Sequence, residues 1–139
     1  MRARALLVAG ACALVLVAPA EAKFRMRLTV APAQPRAHEL VYVAIRADQS
    51  LGRDAVMRLG AVAPGAALMD VVAYAAKERT SYPLVLRGSF AVHLRRANAS
   101  TWRGTLRFPR DGRWRLVVPN WGAPGYAMPP PVVRTVRVR

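Results

Sequence analysis

Few residues in this sequence have the chemistry that an enzyme needs. Its single cysteine, Cys12, lies in an apolar amino-terminal run, and its only histidines are His38 and His93. None of its serines stands in the Gly-x-Ser-x-Gly pattern that exposes a catalytic serine, and no His-x-x-x-His pair or glycine-rich phosphate loop occurs. Without a paired nucleophile and base, covalent catalysis lacks its reactive groups. We therefore expect a protein that is not an enzyme and has no catalytic residue.

Methionine and histidine remain as candidate metal ligands, because both bind copper. Met26 shares the inward face of a predicted strand, where it fills the core. Met128 lies in a proline-rich stretch and is the methionine best placed to be a ligand. The surplus of positive charge opposes the binding of a cation. We expect neither a metal site nor a cofactor, and a copper-binding or copper-carrier protein of the periplasm or extracellular space is the alternative.

Charge is the most unusual property of the chain. Lys+Arg 22 against Asp+Glu 7 gives a formal net charge of +15, and only Lys23 and Lys77 are lysines. A surface with one sign of charge attracts anions, so we expect a protein or anionic partner of the cell envelope and no specific nucleic acid. Two other interpretations stay open, because outward strand residues are polar by default and an arginine bias can reflect genome-wide composition.

Residues 1–22 have the parts of a secretory signal peptide. Two arginines precede an uncharged apolar run from Ala5 to Ala18, and Ala20-Glu21-Ala22 offers small residues before a cut ahead of Lys23. We expect a secreted or extracytoplasmic protein of the periplasm or cell surface. The run is shorter than the roughly 20 residues of a membrane span. Membrane anchoring through an uncleaved signal segment stays an alternative, as does a lipoprotein modified at Cys12.

Period-2 alternation of apolar and polar residues, the signature of strands, characterises residues 23–139. This length suits one domain, and a hydrophobic fraction of 54% excludes disorder by lack of core-forming residues. The predicted strands are Phe24–Val30, Leu40–Ala47, Ala55–Ala63, Tyr82–Leu86, Ser89–Arg95, Thr101–Phe108, Arg113–Val118 and Val132–Val138. Leu40–Ala47 is apolar on both faces and is expected to be covered on both sides. Ala66–Lys77 fits either a short helix or a strand. We predict an all-β fold, an immunoglobulin-like antiparallel β-sandwich of about seven strands.

A hairpin is predicted around the turn Arg110-Asp111-Gly112. A three-residue loop there places Phe108 opposite Trp114 as an aromatic cross-strand pair. The same register places Gly104 opposite Val118. All apolar pairs then fall on one face, which favours this register.

The other face of that hairpin would concentrate arginine. Arg107 falls opposite Arg115, and a meander with the preceding strand places His93 opposite Arg103 with Arg95 beside them. One outer face would then carry all four arginines and attract an anion.

The stretch from Pro119 to Pro131 is the longest predicted connection, and long loops are often functional. Trp121, Tyr126 and Met128 are residue types that anchor protein partners. In the alternative interpretation, the two aromatic rings fold back and close one end of the sandwich. The predicted partner-binding residues are Trp121, Tyr126, Met128, Arg95, Arg103, Arg107 and Arg115.

Two stretches resemble small exported bacterial domains of the YtkA-like and CopC-like kind. They are Phe108-Pro109-x-x-Gly112-x-Trp114-x-Leu116-x-Val118 after Trp102-x-Gly104, and the opening Leu28-Thr29-Val30-x-Pro32. The resemblance implies a seven-stranded sandwich outside the cytoplasm and, for some relatives, copper handling. The expected mature end, Lys23-Phe24, has no histidine, so the resemblance supports the fold more than copper. We expect an exported, non-catalytic binding or accessory domain of the cell envelope.

Overall fold

A computed structural model describes residues 25–67, 87–119 and 131–139. In this part of the chain eight strands form two antiparallel sheets of four strands each. The strands are β1 (Met26–Ala31), β2 (Val41–Ala47), β3 (Leu59–Val62), β4 (Phe90–Val92), β5 (Leu94–Asn98), β6 (Thr101–Leu106), β7 (Gly112–Val118) and β8 (Val132–Val138). Sheet A has the order β1-β2-β6-β5, and sheet B has the order β4-β3-β7-β8.

The predicted all-β class is confirmed, since every regular element of the described residues is a strand. A helix long and apolar enough to cross a bilayer is not found among those residues. The predicted signal peptide, the strand at Tyr82–Leu86 and most of Ala66–Lys77 lie outside the described residues.

The two sheets pack face to face around an aromatic centre. Trp114 of sheet B is fully buried, and its ring centroid lies 5.3 Å from that of Phe108 and 5.8 Å from that of Phe90. Its indole Nε1–H donates a hydrogen bond to the carbonyl oxygen of Arg110 at 3.0 Å, so the polar atom of this buried ring is satisfied. At one edge the guanidinium of Arg134 in β8 donates to the carbonyl oxygen of Leu28 in β1 at 2.8 Å and joins the two sheets.

The predicted hairpin around residues 110–112 is wrong. β6 pairs with β2 and β5, whereas β7 pairs with β3 and β8, so the two strands belong to different sheets. Phe108 and Trp114 do touch, but across the interior between the sheets. Gly104 pairs with Val43 and Leu94 rather than with Val118. Alternation shows only that both residues lie on the inner faces of their strands. Inner-face residues contact each other within one sheet of a hairpin, and they also contact each other between the two sheets of a sandwich.

The prediction that β2 is covered on both sides is also wrong. Its inward residues are buried, but Tyr42 on the outer face is 58% exposed. The centre of sheet B is the part covered on both faces. Val62 and Val117 are buried although they lie on the opposite face of their strands from the core residue Leu116. Of the two outer faces, that of sheet A is therefore the one whose central strands are exposed to solvent.

Two predicted strands have different bounds in the structure. Ala55–Ala63 is a strand only over β3, and at its start the N–H of Ala55 donates instead to the carbonyl oxygen of Gly52 at 3.1 Å and closes a turn. Ser89–Arg95 is not a single strand, since β4 belongs to sheet B and β5 to sheet A. The chain changes sheets at His93.

The change of sheets requires a glycine on the neighbouring strand. A Cβ atom at Gly104 would lie 2.5 Å from the carbonyl oxygen of His93 and 3.0 Å from a methyl carbon of Leu94. Only a residue without a side chain lets the two backbones approach this closely.

We expect Gly104→Ala to lower the free energy of unfolding by about 1–3 kcal/mol, because the added methyl group overpacks a site with no free volume. Urea denaturation of the purified protein measures this change. Thr105→Ala is the matched control on the same strand, since its side chain is exposed and the change should stay within about 0.5 kcal/mol. Equal stability of Gly104→Ala and the wild type would contradict the close approach of the backbones.

Candidate functional site

The structure separates the four arginines that were predicted to share one face. Arg95 and Arg103 lie directly opposite each other on β5 and β6 of sheet A. Arg107 lies beyond the end of β6, and its guanidinium donates to the carbonyl oxygen of His38 at 2.5 Å. Arg115 lies on β7 of sheet B, where its guanidinium donates to a backbone carbonyl at 3.3 Å. The predicted pair of Arg107 and Arg115 is therefore wrong, because it depended on the hairpin.

Two further predictions about this region have different outcomes. Arg103 faces Arg95 rather than His93, because β5 extends to Asn98, which pairs with Thr101, and the register shifts between Arg96 and Asn98. Trp121, Tyr126 and Met128 lie outside the described residues, so their role in partner binding stays a prediction.

Several arginines have a structural role, and Arg96 is the clearest example. Its guanidinium lies over the ring of Trp102, 5.1 Å from the centroid. Its nitrogens donate hydrogen bonds of 2.6–3.1 Å to five backbone carbonyls. The acceptors are the carbonyl oxygens of Leu51, Gly52, Arg53, Asn98 and Ala99. One side chain thus ties the loop before β3 to the turn between β5 and β6.

Six other arginines form cross-strand pairs of like charge. Arg27 faces Arg46, Arg95 faces Arg103, and Arg113 faces Arg137. All six side chains are exposed, and within the described residues none of their guanidinium groups has a hydrogen bond or an ion pair. Directly opposite like charges destabilise a sheet, so each pair lowers the stability of the fold.

Two of these pairs lie on the open face of sheet A. Ala44 pairs with Arg103 and Arg46 pairs with Thr101, so Arg46 and Arg103 are diagonal neighbours on β2 and β6. Direct neighbours on one face have Cβ atoms about 5 Å apart and diagonal neighbours about 7–8 Å. The four residues therefore cross all four strands of sheet A as one stripe. We call the surface formed by Arg27, Arg46, Arg95 and Arg103 the arginine face.

No carboxylate neutralises this stripe from within the sheet, because the four strands of sheet A contain neither aspartate nor glutamate. Asp48, just after β2, accepts a hydrogen bond from the backbone N–H of Arg25 at 3.1 Å. Thr29, Ala44 and Thr101, which have short side chains, are among the outward neighbours of the arginines. Arg25 and Asp48 follow at one end of this row, two residues from Arg27 and Arg46. Within the described residues, none of the four guanidinium groups forms an ion pair with Asp48 or with another carboxylate.

An open depression of about 630 Å³ lies on the same face. Arg95 and Arg103 line it, together with the exposed ring of Tyr42. Ala44 and Gly104 leave room between these larger side chains. Thr29, His93 and Thr105 add polar groups to the lining. The arrangement can bind an anion through guanidinium and hydroxyl donors, with one aromatic ring beside them.

Sequence reasoning missed Arg27, Arg46 and Tyr42 as members of this surface. The alternation does put Arg27 on the outer side of its strand, but only the pairing of β1 with β2 brings it opposite Arg46. Within the described residues, no group of three or more His, Cys, Asp or Glu side chains could hold a metal ion.

We expect Arg96→Lys to lower the free energy of unfolding by roughly 2 kcal/mol, because an ammonium group cannot reproduce the planar set of guanidinium donors. Urea denaturation measures the change. Arg95→Lys is the matched control, since its exposed side chain has no hydrogen-bond partner within the described residues. A loss of equal size in both variants would contradict the role assigned to Arg96.

Removing one member of a like-charge pair should stabilise the protein. We expect Arg103→Gln to raise the free energy of unfolding by about 0.2–1 kcal/mol at low salt, because Arg95 then loses its repulsive neighbour. The gain should vanish near 1 M salt, where the Debye length falls to about 3 Å and the repulsion between exposed charges is screened. Arg115→Gln is the contrasting variant, because it removes a hydrogen bond and should not stabilise. Urea denaturation at both salt concentrations measures the free energy of unfolding of each variant. A gain for Arg103→Gln that persists in high salt would contradict repulsion as its cause.

Comparison with known proteins gave no match to a family model, to a curated protein or to a solved structure.

Proposed function

We propose that this protein is a non-catalytic binding domain that recognises an anionic partner through the arginine face. The observation that carries the proposal is the stripe of four exposed guanidinium groups across sheet A, without a hydrogen bond or ion pair in the described part of the chain. A face with this concentration of one sign of charge attracts anions and steers their approach.

The cost of the arrangement supports a functional role. Each like-charge pair destabilises the sheet, and a glutamate in one position of each pair would remove the repulsion and keep the surface polar. A single pair of this kind also occurs in sheet B, where Arg113 faces Arg137, so the support comes from the alignment of two pairs across all four strands of sheet A. An anionic partner would neutralise both pairs on binding.

Strand order supports an immunoglobulin-like form of this sandwich. In that fold the first, second, fifth and fourth strands form one sheet, and the third, sixth and seventh form the other. Sheet A has β1, β2, β6 and β5, and sheet B has β3, β7 and β8 in corresponding positions, with β4 as an extra strand beside β3. Folds of this kind commonly serve as binding and accessory modules, so the assignment fits the proposed role by analogy.

The proposed site of action is outside the cytoplasm, as an accessory domain of the cell envelope. The support is the signal-peptide pattern of residues 1–22. The apolar anchors predicted from the sequence, Trp121, Tyr126 and Met128, would add contact area to an association that charge attraction begins.

Retention on an immobilised sulfated polysaccharide tests the proposal. We expect Arg46→Gln/Arg103→Gln to bind roughly thirtyfold more weakly than the wild type at low salt, because each of the two cations contributes about 1 kcal/mol near an anionic surface. Arg113→Gln/Arg137→Gln is the matched control, since it removes the same charge from a cross-strand pair in sheet B. Binding of the wild type should also weaken steeply as salt is added.

Equal weakening of retention in the two double variants would contradict the proposal. Net charge alone would then explain retention, and the arrangement of the arginine face would be irrelevant. Retention that does not change between low and high salt would also contradict it.

A further inference from the structure

We propose that Arg95 and Arg103 form a binding site for the phosphate group of a small, soluble phosphate monoester. The inference rests on the proposed function, since it names the chemical class of the anion that one half of the arginine face takes. It is carried by the register of β5 and β6 together with the depression that both side chains line.

The two guanidinium groups are arranged to share one anion. They project from directly opposite positions, and both border the same depression. Each guanidinium offers a planar fork of donors that matches two oxygens of a phosphate group. A doubly charged tetrahedral anion between them replaces one repulsion by two attractions, whereas a singly charged carboxylate neutralises only half of the pair.

The rest of the lining supplies further donors and no competing anion. Thr29, Tyr42 and Thr105 carry hydroxyl groups, and His93 carries an imidazole, while the described residues of the lining include neither aspartate nor glutamate. Thr29 Oγ1 donates to the carbonyl oxygen of Ala44 at 3.4 Å, so Tyr42 and Thr105 are the hydroxyl groups left to bind a ligand. A tetrahedral oxyanion has enough oxygens to accept from both guanidinium groups and one hydroxyl group at once.

The depression has room for more than the phosphate group. Its volume of about 630 Å³ falls within the range of about 300–1,000 Å³ that is typical of small-molecule sites. The exposed ring of Tyr42 offers an apolar surface for the part of the ligand that carries the phosphate.

A small molecule fits this site better than a lipid surface. Tyr42, Val56 and Val133 are the large apolar side chains exposed in the described residues. Of these only Tyr42 belongs to the outer face of sheet A, and Val133 lies in sheet B. Insertion into a bilayer buries a continuous apolar surface, whereas attraction of basic residues to anionic headgroups needs none. The outer face of sheet A offers one exposed aromatic ring among the described residues, so it does not favour insertion, and a depression suits a small molecule better than a flat headgroup layer. The site is therefore assigned to a soluble ligand, and binding to anionic vesicles is the alternative that the test separates.

The test measures binding of inorganic phosphate and of glycerol 3-phosphate to the purified protein by calorimetry or nuclear magnetic resonance titration at constant ionic strength. Acetate is the probe for nonspecific charge attraction. We expect saturable binding of both phosphates at concentrations at least tenfold below those at which acetate binds. Arg95→Gln/Arg103→Gln should weaken phosphate binding at least tenfold.

Two double variants serve as matched controls, because each removes another cross-strand arginine pair. Arg113→Gln/Arg137→Gln should leave phosphate binding unchanged, and Arg27→Gln/Arg46→Gln should weaken it less than threefold, since neither pair lines the depression. Circular dichroism of each variant should match that of the wild type.

Three results would overturn the inference: phosphate binding no tighter than acetate binding, equal weakening in all three double variants, or binding to phosphatidic acid vesicles without binding of glycerol 3-phosphate. These failures differ from a failure of the proposed function. If Arg46→Gln/Arg103→Gln still loses retention on the polysaccharide while the phosphate site fails, the arginine face remains a general anion-binding surface.

Discussion

The candidate site depends on one contact between backbones, where Gly104 of β6 meets the carbonyl oxygen of His93. The missing side chain lets the chain leave sheet B after Val92 and enter sheet A at Leu94 without a gap. That crossing sets the pairing of Leu94 with Gly104 and, one residue later, of Arg95 with Arg103. If the strand continued in sheet B instead, Arg95 would have no strand of sheet A beside it. A glycine that carries no functional group therefore determines which two cations face each other.

The arginines discussed above fall into two classes that differ in their effect on the stability of the fold. Arg96, Arg107, Arg110, Arg115 and Arg134 donate to backbone carbonyls and join segments that are distant in the sequence. Hydrogen bonds offset what these side chains lose in hydration and conformational freedom. The cross-strand pairs have no such offset. A genome-wide preference for arginine accounts for the abundance of the residue in both classes, but it does not account for the absence of a counter-charge on sheet A.

Alternation in the sequence predicts the strands well and their partners poorly. Val132–Val138 has the predicted bounds, and β1, β2 and β7 differ from prediction by one or two residues at their ends. Period 2 identifies the face on which a residue lies, but it carries no information about which strand lies beside it. This is why the contact between Phe108 and Trp114 could be inferred while their pairing in a hairpin was wrong.

The same limit explains what could be predicted of the site. Arg95 and Arg103 were found because their strands are consecutive and joined by a short turn, the commonest kind of pairing. Arg107 and Arg115 were added through a hairpin that does not exist. Arg46 was missed for two reasons: the connection between the consecutive strands β1 and β2 is too long to fix their register from sequence, and the other neighbour of β2, β6, is far from it in the sequence. The positions of the four arginines on sheet A depend on which strands pair, and the alternation pattern of a single sequence does not identify those partners.

Protection of sheet edges is the strongest competing explanation for exposed arginines. Charged residues on an edge strand discourage pairing with another chain, and Arg27 on β1 and Arg95 on β5 lie on the two edge strands of sheet A. Arg46 and Arg103, however, lie on β2 and β6, which are paired on both sides and need no such protection. An edge device also works with charges of either sign, and a glutamate opposite each central arginine would protect the edge while removing the repulsion. Edge protection therefore does not explain Arg46 and Arg103, the two cations on the central strands. Recognition of an anion explains them.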